Sequence, residues 1–176
     1  MMLRLKHQPR HRRGQALVEF AMIAGLFMFV IGAIIQFGII LWSQNAVTEI
    51  ARDTARWAVT QSTTPCDAGR AQVASTADSL AQQASLVGYS AATWTSAPPI
   101  GAMGDEGVGV DWTVPLGYFN TDCPPSDNGL DVFVTVRISH AVPVFIPGLG
   151  IVAPTCGGSG FCVSSTTQLR MEPKSP

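Results

Sequence analysis

The sequence predicts an α+β fold: a long N-terminal helix, transmembrane below and amphipathic above, packed on a small antiparallel-sheet head. Three observations predict it. No proline interrupts residues 15–60. Between Phe20 and Trp42 the only clearly polar side chain is Gln36. Beyond residue 100 the apolar residues fall at every second position, as in Val132, Val134, Val136 and Ile138, which is the period of a half-buried strand.

The chain divides into a basic leader (1–14), a continuous helix (15–60, membrane span about 20–42) and an extracytoplasmic α+β head (61–176). Five basic residues and no acid precede Gly14: Arg4, Lys6, Arg10, Arg12 and Arg13. The remainder carries six basic and twelve acidic residues, so the overall charge of -1 hides two unlike parts. An acidic folded part argues against nucleic acid as a partner. The basic flank is a topology signal that keeps the N-terminus in the cytoplasm and sends the head outward. The apolar run is long enough to cross a bilayer core. It exceeds the h-region of about 7–15 residues expected of a cleaved secretory signal, and no small-residue site closes it.

Above Trp42 the helix becomes two-faced. Val47, Ile50, Ala51, Thr54, Ala55 and Ala58 fall on one side, and Glu49, Arg52, Asp53 and Arg56 on the other. The charged residues are spaced for i,i+3 pairs, Glu49 with Arg52 and Asp53 with Arg56. Thr63-Thr64-Pro65 ends this rod. A second helix is expected over 67–87, capped by Asp67, burying Ala71, Ala74, Ala77, Leu80, Ala81 and Ala84, and stopped by Gly88. Strands are expected over 90–96, 107–114, 130–142 and 162–171, joined by turn-forming segments rich in Pro and Gly. The stretch 141–152 is unusually apolar for a connection. It suits a cover for a sheet edge, a contact with the membrane surface or a contact with a neighbour.

Cys66, Cys123, Cys156 and Cys162 all lie beyond the membrane span. An even count in an exported domain suggests two disulfides, for which three pairings exist. Cys156 and Cys162 enclose a Gly-rich loop and are the expected pair, leaving Cys66 with Cys123; buried free thiols are the alternative. A zinc site lacks its ligands: there is no C-x-x-C, and His7, His11 and His140 are scattered. The segment 101–109 holds Asp105 and Glu106, which suit a calcium ion less well than a solvated loop. No nucleophile elbow, zinc-protease helix or phosphate loop is present, so neither an enzyme nor a cofactor is expected.

Gly14, Glu19 five residues later, Phe20 and then an apolar helix resemble the processing signature of type IV pilin-like proteins. From Gly14-Gln15-Ala16-Leu17-Val18-Glu19-Phe20 through the amphipathic 48–58, the chain is similar to the TadE-like minor pseudopilins of the tight-adherence (Flp, type IVc) pilus system. The closing strand near Arg170 and Glu172 resembles that family more loosely. The family often has a proline six residues after the glutamate, where this chain has Gly25.

The resemblance implies a pilin-like lollipop, cut after Gly14 by a membrane prepilin peptidase so that Gln15 becomes the first residue. It implies that Glu19 pairs with a neighbour's N-terminal amine, with Phe20 beside it at the helix-docking surface; Gln36, as a polar amide in the span, suits a helix-docking hydrogen bond to another helix or a place at surface depth near Trp42. Expected partners are the prepilin peptidase, the major pilin, a sister minor pseudopilin, the membrane platform protein and the lipid bilayer. The expected location is the bacterial inner membrane, single-pass, with possible entry into the pilus. The alternative is a membrane-anchored extracytoplasmic binding module unrelated to pili; an anchored hydrolase lacks any catalytic cluster.

Overall fold

The structure, a computed structural model, describes residues 12–60, 66–114, 117–119, 132–146 and 160–171. Helix α1 runs unbroken over Arg12–Thr60 and α2 over Cys66–Gln83. Strands β1 (Gly107–Val114), β2 (Gly117–Phe119), β3 (Phe133–Pro143) and β4 (Gly160–Arg170) form one antiparallel sheet in the order β2-β1-β3-β4. The predicted α+β architecture is therefore what forms.

α1 is 49 residues long, about 74 Å at 1.5 Å per residue. It begins at Arg12, so Gly14 lies inside its first turn and not in an extended leader. Its upper part packs along β3 and β4, and α2 packs beside it against β1. Both helices cover the same sheet face. β3 sends Val134, Val136, Ile138, His140 and Val142 toward them, all buried. Across the ladder, Val110 stands opposite Val136 and Val108 opposite Ile138. On the other side Val163 stands opposite His140 and Leu169 opposite Val134. Each fully buried Val or Ile contributes about 1.5–3 kcal/mol of transfer free energy.

The expected apolar stripe of upper α1 is the buried one: Val47, Ile50, Ala51, Thr54, Ala55 and Ala58 all face the core. The structure extends it downward through Ser43, Ile40 and Gln36. Small residues let the helix axis approach the sheet closely. Glu49, Arg52, Asp53 and Arg56 are exposed as expected. Among the described residues they do not close into the expected i,i+3 ion pairs, whereas His140 and Glu106 come within ion-pair distance.

Several local expectations are corrected. α2 starts at Cys66, so Asp67 lies inside the helix and not at the position ahead of it. Its buried face is Val73, Ala74, Ala77 and Ala81, while Ala71 is exposed and Leu80 and Ala84 are half-buried. α2 ends at Gln83, ahead of the expected 87, because two left-handed residues, Ser85 (φ 52°) and Gly88 (φ 83°), reverse the chain. Gly88 also abuts Pro143, whose Cδ would lie 2.9 Å from an added Cβ. The strand expected at 90–96 is instead a 3-10 turn at Ala91–Thr93 followed by the buried Trp94. That turn presses on Gly107 (φ 123°), where a Cβ would sit 2.6 Å from the Thr93 carbonyl oxygen. β2 is not foreseen by the sequence pattern. The expectations for residues 1–11, Thr63-Thr64-Pro65, Cys123, 147–152, Cys156 and Glu172 lie outside the described residues.

Candidate functional site

Lower α1 is the candidate site. Leu17, Val18, Phe20, Met22, Ile23, Leu26, Phe27, Met28, Phe29, Ile34 and Ile35 are all exposed, and they lie on every side of the helix. Among the described residues, this helix is long and apolar enough to cross a membrane. Gly14, Gly25, Gly32 and Gly38 have no atom near the position of an added Cβ, so the helix presents four notches to whatever surrounds it. Gln15 donates from Nε2 to Glu19 Oε1 at 3.2 Å, one turn further along. The first expected mature residue and the acid are thus already in contact within one chain. Phe20, beside them, projects outward.

Gln36 lies elsewhere than its neighbours in sequence suggest. It is 1% exposed. Its Nε2 donates to the Pro143 carbonyl at 3.1 Å, and its Oε1 accepts from the Phe145 amide at 2.9 Å. The side chain expected to reach across to another helix is therefore committed to the end of β3 in its own chain. Two turns above, Gln44 donates to the Ser164 carbonyl at 3.1 Å on β4. The two amides pin the sheet to the rod at two heights. From Gln36 to Gln44 the helix rises about 12 Å, and from residue 160 to 164 the strand advances about 13 Å. The matched rises let α1 run alongside β3 and β4 without a break in contact.

Signals for Gln36 were present in the sequence. It is in phase with Ile40, Ser43, Val47, Ile50 and Thr54, at alternating steps of four and three. A stripe traced downward from Val47 reaches it.

The outward face of upper α1 and the edge strand β4 enclose an open groove lined by Glu49, Arg52, Asp53, Arg56, Thr167 and Leu169. Its charged walls make it a surface of mixed sign and not an anion or cation trap.

Inside the head, His140 is fully buried. Nδ1 lies 2.9 Å from Glu106 Oε1 and Nε2 lies 3.0 Å from the Val87 carbonyl oxygen. Both partners are acceptors, so the ring satisfies both only when each nitrogen carries a hydrogen. This cluster ties the 85–88 reversal and the 103–107 segment to β3. His140 stands far from the other histidines in the sequence. Its place at an inward position of the alternating run Val134, Val136, Ile138 was the available signal. Glu106, weighed as a calcium ligand, is engaged by His140. No group of three His, Cys, Asp or Glu side chains comes together among the described residues. Arg70 is a second residue missed: it donates to the carbonyls of Ala97 and Val110 and stacks 4.9 Å over Trp112, joining α2 to β1.

Cys162 is disulfide-bonded. The side chains of Cys66, Cys123 and Cys156 lie outside the described residues.

No curated protein and no solved structure matches the chain. A family model described as TadE-like protein matches residues 14–56. The match runs from Gly14 to Arg56, the exposed apolar half of α1 together with most of the half that carries the head. The similarity to TadE-like proteins therefore lies in this helix.

Proposed function

We propose that the chain is a minor pseudopilin or assembly factor of a tight-adherence (type IVc) pilus, cut after Gly14 and docking laterally through lower α1. The observation that carries this reading is the TadE-like match on a helix whose apolar surface is left uncovered by its own head. A helix exposed on all sides needs lipid or other helices around it. The open glycines suit close helix approach. The basic leader keeps the N-terminus cytoplasmic and the head outside the inner membrane. The prepilin peptidase, the major pilin, a sister minor pseudopilin and the membrane platform are the partners this reading requires, with the groove at Glu49 and Arg52 available for a sister subunit.

In this reading Glu19 pairs with the N-terminal amine of an adjacent subunit. The Gln15–Glu19 contact gives that carboxylate a partner until assembly. Gln15 brings a chemical liability. If its free amine attacks its own side-chain Cδ, an N–Cδ amide forms, the Cδ–Nε2 bond breaks and ammonia leaves. The positive charge and the Nε2 donor are then lost together, and a single neutral lactam N–H remains. The disulfide framework completes the reading: Cys162 pairs with Cys156, and Cys66 with Cys123.

Intact-mass measurement of protein made with its native pilus system tests the proposal. Loss of residues 1–14 is expected, together with loss of surface appendages in Glu19→Ala. A full-length mature chain with unaffected appendages favours the anchored binding module. Non-reducing peptide mapping of the same sample tests the pairings.

A further inference from the structure

We propose that the apolar tip at the end of β3, from Pro143 to Ile146, is an interfacial wedge that rests in the outer boundary of the bilayer, seating the head directly on the membrane at a fixed depth. The inference rests on the reading that lower α1 spans the membrane, and adds where the head stands relative to it.

Depth is the first argument. Pro143 and Phe145 are hydrogen-bonded to Gln36, so the tip is held at that level of the helix. Gln15 and Gln36 are separated by a rise of about 32 Å, and the hydrocarbon core of a bilayer is about 30 Å thick. With the basic leader at the inner boundary, Gln36 and the tip meet the outer one.

Chemistry is the second. Phe145 is 65% exposed although it belongs to the folded head. Its amide, which a water-facing loop would leave to solvent, is instead given to Gln36. Pro143 has no amide hydrogen to satisfy. A segment that shows an apolar ring while the Pro143 carbonyl and the Phe145 amide are held by Gln36 suits a low-dielectric boundary. Gln36 gains equally: a primary amide at the end of a membrane span is costly unless partnered, and the head partners both of its polar atoms.

Continuity is the third, and it selects lipid as the occupant. No Asp, Glu, Lys or Arg occurs between Phe20 and Thr48, nor after Arg137 in the described part of the tip. Phe37 and Leu41 remain exposed on the helix at this level, and Trp42 is 44% exposed just above. An indole at that height is an interfacial anchor. The tip therefore extends the apolar surface of lower α1 sideways without a charged break, ending beneath an indole.

A photo-crosslinking amino acid of the benzophenone type, placed singly at Phe145, Leu26 or Gln168 in the full chain reconstituted in phosphatidylcholine–phosphatidylglycerol vesicles, tests the wedge. Lipid adducts are expected at Leu26 and at Phe145 in comparable yield, and none above background at Gln168 on the exposed edge of β4. Adducts at Leu26 without adducts at Phe145 overturn the wedge and leave the spanning helix standing. Absence at both positions overturns the spanning helix and the wedge with it. Protein adducts in place of lipid at Phe145 overturn the wedge in favour of a subunit contact. In parallel, Phe145→Ser should leave the melting midpoint of the head unchanged, because the ring is exposed and the amide that Gln36 holds is retained. A large drop would place the ring in the head's core and contradict the proposal.

Discussion

The two halves of α1 are one helix in two surroundings. From Gly14 to Ile35 nearly every apolar side chain is exposed, and nothing in the head touches the notches at Gly25 or Gly32. From Gln36 to Ala58 a stripe of one or two residues per turn is buried, and from Glu49 upward the opposite side carries charge. The backbone does not distinguish them. What differs is how apolarity is distributed around the axis: all round in the lower half, one-sided in the upper. The lesson is that hydrophobic content marks the lower half for a nonaqueous environment, whereas hydrophobic phase marks the upper half for this particular sheet.

The sharpest way to break the comparison is to remove core volume on the side that upper α1 covers. Ile138→Ala should cost about 2–5 kcal/mol of head stability, read as a fall in the melting midpoint of the purified chain in detergent. Leu26→Ala, an equally apolar residue in the lower half, should stay within about 0.5 kcal/mol in the same assay, because it touches nothing in the head. The reciprocal change is Leu26→Arg, which should leave the melt unaffected while costing about 2.5–3.5 kcal/mol in membrane insertion, measured with a translocon insertion reporter.

Smaller effects sharpen the boundary between the halves. Ala55→Leu forces a larger side chain between helix and sheet and should cost about 1–3 kcal/mol; Ala21→Leu, at an exposed position of the lower half, should cost nothing in the melt. Gln36→Leu strands the Pro143 carbonyl and the Phe145 amide, and should cost about 1–3 kcal/mol if water does not replace the lost partner. Glu106→Ala, which leaves a buried His140 nitrogen without its acceptor, should cost a similar amount. The smallest effect belongs to the charged face: Glu49→Ala or Arg52→Ala should shift stability by less than about 0.5 kcal/mol, since both are exposed and neither closes an ion pair among the described residues.

Much of the fold was legible because two periodicities are strong. The 3.6-residue phase of Val47, Ile50, Thr54 and Ala58 and the twofold alternation of Val134, Val136 and Ile138 each identify their element and its buried face. The short elements were not legible. At 90–96, Thr93 and Trp94 favour a strand, but tertiary contact decides: the chain turns there so that Trp94 enters the core and the Thr93 carbonyl packs on Gly107. β2 has three residues, too few for any period to register. At the site, the exposed apolar helix could be read directly from its unbroken run of apolar residues. The inward turn of Gln36 was hidden because a lone amide in an apolar run looks the same whether it faces another helix or its own head. Only its phase with Ser43 and Val47 separates the two.

The division of α1 at Gln36 is tested most directly by shortening the helix. A chain begun at Gln36, exported so that its cysteines can oxidise, should be soluble without detergent and retain the full-length head's near-UV circular dichroism and cooperative melt. A chain begun at Gln61 should show neither, because the buried stripe of α1 is gone. A chain begun at Gln36 that stays molten or insoluble, while the full-length protein melts cooperatively, would contradict the division.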